Sequence, residues 1–344
     1  MKKHLIAAAV AAAVAVPAAA QVTLSGYAEA AYESISHNTA ASEVDAFTGG
    51  GMFGSPRIVF SGSEDLGGGL RAGFRLESTI NVVTGQMGSA TLGPQATTGP
   101  LFDRGAEINL SGAFGTIAIG KLDHLGIENN DLNTVGNIAL FSAAVEAAGV
   151  ASDVNGTFRY TTPTFSGVRV HVGLTPKDNS NSNALAASKA HGGITSYQVE
   201  GTLGAIRFRA GGGTVKAIQT GAGTSASEDT DVVGFGVAYD LKIADVSLGY
   251  QTQDNPSGTA DVKETIVSAN VPLGGGLSIR ANYSTTNQDG NTAVDRKLYT
   301  VALVKALSKR TNVFFYHQDT SFDLAATAAS SDTSRTGLRV SHSF

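Results

Sequence analysis

The chain contains no cysteine, no tryptophan and only 8 prolines among 344 residues. Without cysteine there is no disulfide framework and no thiol nucleophile, and a small stapled secreted domain is excluded with them. Without tryptophan, any aromatic band at a membrane–water boundary must be built from Phe and Tyr. Charge is scarce too: 15% of residues are Asp, Glu, Lys or Arg, against about 25% in an ordinary soluble domain. Beyond the first residues, no apolar run approaches the about 20 residues that a spanning helix needs.

The N-terminus reads as an export signal. Met1-Lys2-Lys3 is basic, Leu5 to Val16 is unbroken apolar sequence, and Pro17 precedes the small-residue run Ala18-Ala19-Ala20. That is the layout of a secretory signal peptide cleaved after Ala20. The alternative, a short membrane anchor, is disfavoured because the run is too short to span. The expectation is a leader over 1–20 and one domain over 21–344. Loss of Lys2 and Lys3 would take the net charge from −5 to −7. An acidic chain with dispersed bases has no nucleic-acid footprint. An exported chain without a helical anchor is either soluble or a closed barrel.

What the sequence does have is alternation. Val22, Leu24, Gly26, Ala28, Ala30 and Tyr32 share one parity, opposite Thr23, Ser25, Tyr27, Glu29 and Glu33. Ile58 and Phe60 oppose Arg57 and Ser61, and Leu70, Ala72, Phe74 and Leu76 oppose Arg71, Arg75 and Glu77. Val168, Val170, Val172 and Leu174 oppose Arg169 and His171, and Ile206 and Phe208 oppose Arg207 and Arg209. Successive strand side chains point to opposite faces, so each segment has one apolar and one polar wall. A half-buried soluble sheet alternates equally well. The membrane reading is favoured because charge keeps to one parity and because the connections alternate in length.

Short connections fall at 64–69, 112–115, 163–167, 204–205, 240–244, 272–276 and 307–310. Long polar ones fall near 34–54, 78–103, 122–154, 175–192, 212–230, 252–262, 284–296 and 318–334. Seven turns and eight loops imply an all-β transmembrane antiparallel barrel of sixteen strands, with short periplasmic turns and long extracellular loops. Gly-Gly-Gly at 49–51, 67–69, 211–213 and 274–276 reads as turn or loop, since none sits in a strand–GxGxxG–helix setting. Girdle candidates are Phe344, Tyr239, Tyr250, Tyr283 and the run Phe314-Phe315-Tyr316.

The segments Val22-Thr23-Leu24-Ser25-Gly26-Tyr27, Arg57 to Gly69, Leu110 to Lys121, Phe158-Arg159-Tyr160 with Pro163 to Gly167, Leu307 to Thr311 and the terminal Phe344 occur in family order. On them the chain resembles the general, trimeric, sixteen-stranded porins of Gram-negative outer membranes, in their proteobacterial branch. The resemblance implies a water-filled channel for passive diffusion of ions and small hydrophilic solutes, with no cofactor and no metal. It implies outer-membrane localisation among lipid and lipopolysaccharide, a homotrimer, and reading of Phe344 by the assembly machinery. It also implies a third loop, about 122–154, folded into the barrel.

In the family, loop acids face a ladder of wall bases. By motif match the wall bases are Arg57, Lys121 and Arg159. Other lumen bases are Arg71, Arg75, Arg207 and Arg209, and the loop acids are Asp123, Glu128, Asp131 and Glu146. Tyr27 stands where enteric porins carry Lys, and the enteric PEFGG loop motif is missing, so the eyelet acids and its selectivity stay open. Inward-parity bases, which also include Arg169, Arg280 and Arg339, outnumber the inward acids Glu29, Glu33, Glu77, Glu107, Glu200 and Glu264. The expectation is weak anion preference.

A substrate-specific channel fits the sequence as well as a general one. An outer-membrane hydrolase would need a Ser–His pair or paired acids at the rim. His37, His124, His171, His191, His317 and His342 show no metal-site spacing. A surface adhesin is the remaining alternative. Acidic Glu228, Asp229 and Asp231 are candidate contacts for calcium or lipopolysaccharide.

Overall fold

A computed structural model describes residues 21–38, 43–50, 54–88, 100–122, 154–177, 193–217, 229–254, 261–289, 294–324 and 332–344. The strands are β1 (Gln21–His37), β2 (Val44–Thr48), β3 (Arg57–Gly67), β4 (Leu70–Asn81), β5 (Gln86–Met87), β6 (Gly105–Gly112), β7 (Gly115–Leu122), β8 (Val154–Thr161) and β9 (Val168–Thr175). They continue as β10 (Ile194–Leu203), β11 (Ile206–Val215), β12 (Thr230–Asp240), β13 (Asp245–Asp254), β14 (Asp261–Gly274), β15 (Leu277–Asp289), β16 (Val294–Ala306), β17 (Thr311–Leu324) and β18 (Thr333–Ser343). β2 pairs only with the upper part of β1, and β5 only with β4. The other sixteen form one antiparallel sheet in which each strand pairs with the next. The sheet closes where β18 pairs with β1, from Tyr27↔Ser343 to His37↔Thr333. Closure leaves no unpaired edge, which is what a lipid environment demands of a sheet.

The expected parity holds around the wall. Leu24, Ile108, Ile119, Val172, Phe235 and Leu338 are exposed on the outside, while Glu29, Glu33, Glu77, Glu200 and Arg339 are buried on the inside. The seven predicted turns each join the expected pair of strands. Two of the Gly triplets make such turns: Gly67, Gly68 and Gly69 have φ of 83°, 61° and 80°, and Gly274, Gly275 and Gly276 have 87°, 58° and 76°. Three consecutive left-handed residues are accessible only to glycine.

Three expectations need correction. Gly211-Gly212-Gly213 is not a loop but the interior of β11. A Cβ on Gly211 would lie 2.5 Å from the Tyr197 carbonyl oxygen, and one on Gly212 2.7 Å from that of Val232. The glycines are there because neighbouring backbone approaches closely. Second, several strands run further toward the loops than alternation indicated, with β15 reaching Asp289 and β17 reaching Leu324. Third, Phe314 and Tyr316 are buried on the lumen side, and only Phe315 of that run faces outward. Adjacent strand residues cannot share a face.

The outward aromatics form two bands. Toward the turns lie Phe114, Phe165, Tyr239 and Phe344, with the Tyr160 hydroxyl donating to the Phe114 carbonyl at 2.6 Å. Toward the loops lie Tyr283 and Tyr299 and the pairs Tyr32–Phe47 and Phe235–Tyr250, at 5.3 and 5.9 Å between ring centroids. The wall between them is uneven. β6 to β9 have 8 residues each, whereas β14 and β17 have 14. At about 3.4 Å per residue this is the difference between roughly 27 and 48 Å along the strand.

Phe344 extends the seam by one step. Its amide donates to the Gly26 carbonyl and its carbonyl accepts from the Gly26 amide, both at 3.0 Å. Its ring covers Gly26, where a Cβ would lie 2.3 Å from the ring and 2.5 Å from the Arg57 carbonyl oxygen. The aromatic thus fills the gap a glycine leaves across the pair. Gly26→Val is expected to lower the yield of folded, heat-modifiable barrel on gels, because the second contact is backbone and cannot move aside.

Candidate functional site

The inward face of β3, β4, β6, β7 and β8 carries the basic wall. Glu77 on β4 is its hub. Arg104 donates to it at 3.0 Å, Arg75 also pairs with it, and Arg57 lies at 3.5 Å. Next along, Arg159 reaches Glu107 at 3.6 Å, and Asn109 donates to the same carboxylate at 3.0 Å. Arg75, Glu77, Arg104, Glu107, Lys121 and Arg159 line one depression in the lumen wall. Among the described residues the bases there outnumber the carboxylates, four to two.

Lys121 reaches this depression by an irregularity. Along β7 it is paired with Ala106, on the parity of the outward Ile119. The β7–β8 register shifts between Gly120 and Leu122, and Gly120 has φ of 149°. A bulge re-aims a side chain in this way, against the parity of the rest of β7. Arg104 was not legible in the sequence. It precedes β6, in a connection without alternation, and only the folded chain brings it to Glu77.

Tyr27 occupies the base position missing from β1. It is paired with Arg57 and donates to Glu29 at 2.7 Å. Tyr27, Arg57, Arg75 and Gly54 border a second depression beside the first. Arg71 lies lower, near the turns, with Ser111, Thr161 and Arg169. Arg169, Arg207 and Arg209 group around Glu200. Asp123, Glu128, Asp131, Glu146 and Asp153, together with the inward fold of the third loop, lie outside the described residues, as does Glu228. Asp229 accepts from Lys216 at 2.5 Å and from the Ala217 amide at 3.0 Å. Those two partners hold its carboxyl below the usual range, the lysine first.

The wall facing the bases is of another kind. Across the barrel, β13 and β15 turn Gln251 and Asn282 inward, and both amide atoms of each lack a protein hydrogen-bond partner among the described residues. The same far wall also carries the Arg296–Glu264 pair at 3.5 Å and Arg280, which lies over the inward Phe314 ring at 5.9 Å, so it mixes amides with charges.

At the seam the charges are fully enclosed. Arg339 on β18 donates from Nη1 to Glu29 at 2.5 Å and from Nη2 to Glu33 at 2.9 Å. It also donates to the Gly50 carbonyl at 3.1 Å and lies over the Tyr316 ring at 5.6 Å. Tyr316 donates to Glu33 in turn. One guanidinium thereby joins β18, β1, β17 and the first loop.

A closed, outwardly apolar barrel with a charged aqueous lumen is a membrane channel. The sequence model of Gram-negative porins matches residues 7–343, and the chain belongs to that family. It is 30% identical over 335 residues to outer membrane porin protein 32 of Delftia acidovorans, covering 91% of this chain and 88% of that one. It is 34% identical over 197 residues to major outer membrane protein P.IB of Neisseria gonorrhoeae, about half of each chain. Among solved structures, an anion-selective porin from Comamonas acidovorans superposes with a TM-score of 0.69 at 20% identity, covering 94% of this chain and all of that one. Salmonella typhi OmpF superposes at 0.68 with 13% identity, covering 94% and 98%. The chain is an outer-membrane porin, a channel for passive diffusion of ions and small hydrophilic solutes and not an enzyme.

Removing Arg339 would strand two carboxylates. Arg339→Met is expected to destabilise the barrel by about 3–5 kcal/mol, read as a lower denaturation midpoint in detergent. Glu29→Gln, which leaves the second pair intact, should cost less.

Proposed function

We propose that this porin weakly prefers anions, and that Arg57, Lys121 and Arg159, with Arg75 and Arg104, are the wall bases at its narrowest level. The supporting observation is the Glu77 hub, in which one carboxylate is shared by three arginines. Among the described residues, four bases and two carboxylates line the depression beside this hub. Charged side chains lining a narrow aqueous path set ion preference, and in low-dielectric surroundings the effect exceeds that of the same charges in bulk water. The name of the anion-selective relative in Comamonas acidovorans agrees with this reading.

The remaining expectations belong to the same proposal. Residues 1–20 are a leader, and 21–344 form one barrel domain. The third loop narrows the pore, with Asp123, Glu128, Asp131 and Glu146 as its acids. The barrel assembles as a homotrimer, as the trimer form of an OmpT structure from Vibrio cholerae suggests by fold likeness. The assembly machinery reads Phe344, and the outer wall contacts lipid and lipopolysaccharide.

Reversal potentials across a planar bilayer in a KCl gradient test the preference. Wild type should favour chloride. Arg57→Gln with Arg159→Gln should shift the permeability ratio toward potassium by roughly twofold or more, and Glu77→Gln should move it the other way. A wild-type channel that favours potassium would overturn the reading.

A further inference from the structure

A second group of charges lies apart from the Glu77 hub, at the end of the barrel that carries the short turns. Arg169 is the second residue of β9, Arg207 the second of β11, and Glu200 lies close to the end of β10. Arg169, Glu200 and Arg209 are direct cross-strand partners, so they form a row across three adjacent strands on the lumen face. Glu200 takes one fork from each side. Arg169 Nε donates to Oε1 at 2.5 Å, while Arg209 donates to Oε2 from Nε at 2.9 Å and from Nη2 at 2.7 Å. His171 at 3.1 Å and Gln198 at 3.1 Å complete the carboxylate's shell.

Two features make this more than an internal ion pair. The carboxylate neutralises only one of the two guanidiniums that clamp it, and Arg207 lines the same depression, with the Thr164 and Thr202 residues as its rim. The row is also accessible. The Arg169 side chain is 50% exposed, whereas those of Glu200 and Arg209 are only 10% exposed. Arg169 in turn borders the neighbouring depression that holds Arg71. Glu200 is thus a fixed counter-ion that orients the guanidiniums, and the half-exposed Arg169 presents its guanidinium to water.

We propose that this row is a second anion-holding site, at the periplasmic outlet, for small solutes bearing a carboxylate or phosphate. Guanidinium forks match both groups in a bidentate way. The site lies downstream of the Glu77 hub, so an anion released there has a second positive station before open solvent. This rests on the anion preference proposed above. It adds that selectivity is set at two levels, and that Glu200 opposes it at the lower one.

The test is chloride conductance of full-length protein in planar bilayers with inorganic phosphate added on both sides. Succinate serves as a second arm that separates phosphate from carboxylate recognition. At about 0.1 M salt the screening length is roughly 10 Å, and phosphate should reduce the wild-type chloride current. Arg169→Gln with Arg207→Gln keeps Glu200 paired to Arg209 and should weaken that block about threefold or more. Arg71→Gln, which breaks no ion pair among the described residues and lies in the depression bordered by Arg169, should weaken it to a smaller extent and serves if the double variant fails to assemble. Glu200→Gln should strengthen the block, a sign that a merely structural role would not produce. Block unchanged by all three would overturn the outlet site while leaving a chloride-selective wild type, and so the proposed preference, standing. A potassium-selective wild type would remove both.

Discussion

An unpaired backbone amide in hydrocarbon costs several kcal/mol, and no water is present to relieve it. Everything in this barrel follows from that constraint. Sixteen strands pair edge to edge until the last meets the first. Closure then sorts the side chains: one parity must be apolar because it meets lipid, and the other is free to be polar because it meets a lumen. The chain has few charges, and the wall places Glu29, Glu33, Glu77, Glu200, Glu264, Arg209 and Arg339 on the enclosed side. Low overall charge and a charged interior are the same fact viewed from two faces.

Inside, acids and bases are interleaved along each wall, the Glu264–Arg296 pair of β14 and β16 included. Glu77, Glu107 and Glu200 each hold arginines in fixed orientations, as Glu29 and Glu33 hold Arg339. A carboxylate shared by several guanidiniums leaves net positive charge while preventing those long side chains from sweeping the lumen. Positive walls built this way are rigid, which favours a definite bore over a fluctuating one.

Parity and turn chemistry made most of this legible in the sequence. The strand number, the turn positions and the inward residues came from period-2 alternation and from Gly-rich breaks. Alternation reports lipid on one side, so it fades where a strand rises above the bilayer and both faces become polar; that is why the tops of β15 and β17 read as loop. It is silent about glycines inside a strand such as Gly211 and Gly212, whose signal is close backbone approach. It is also silent about Arg104, which lies in a connection, and about the bulge that turns Lys121 inward. Pairing partners were the least legible part, because nothing local links Arg339 to Glu29.

That last separation has a kinetic consequence. The Arg339–Glu29 contact closes a span of 310 residues, and the seam hydrogen bonds of Phe344 span nearly the whole folded domain. Contacts of such long range are slow to form, because loop entropy must be lost before they return any stabilisation. Until the final strand arrives, the sheet is an open ribbon with two bare edges, each a template for pairing with another chain. The hairpins between the short turns can form early and locally. Cylinder formation cannot, since it waits on the most C-terminal residues of the polypeptide. The time between those two events is when this protein is most exposed to aggregation.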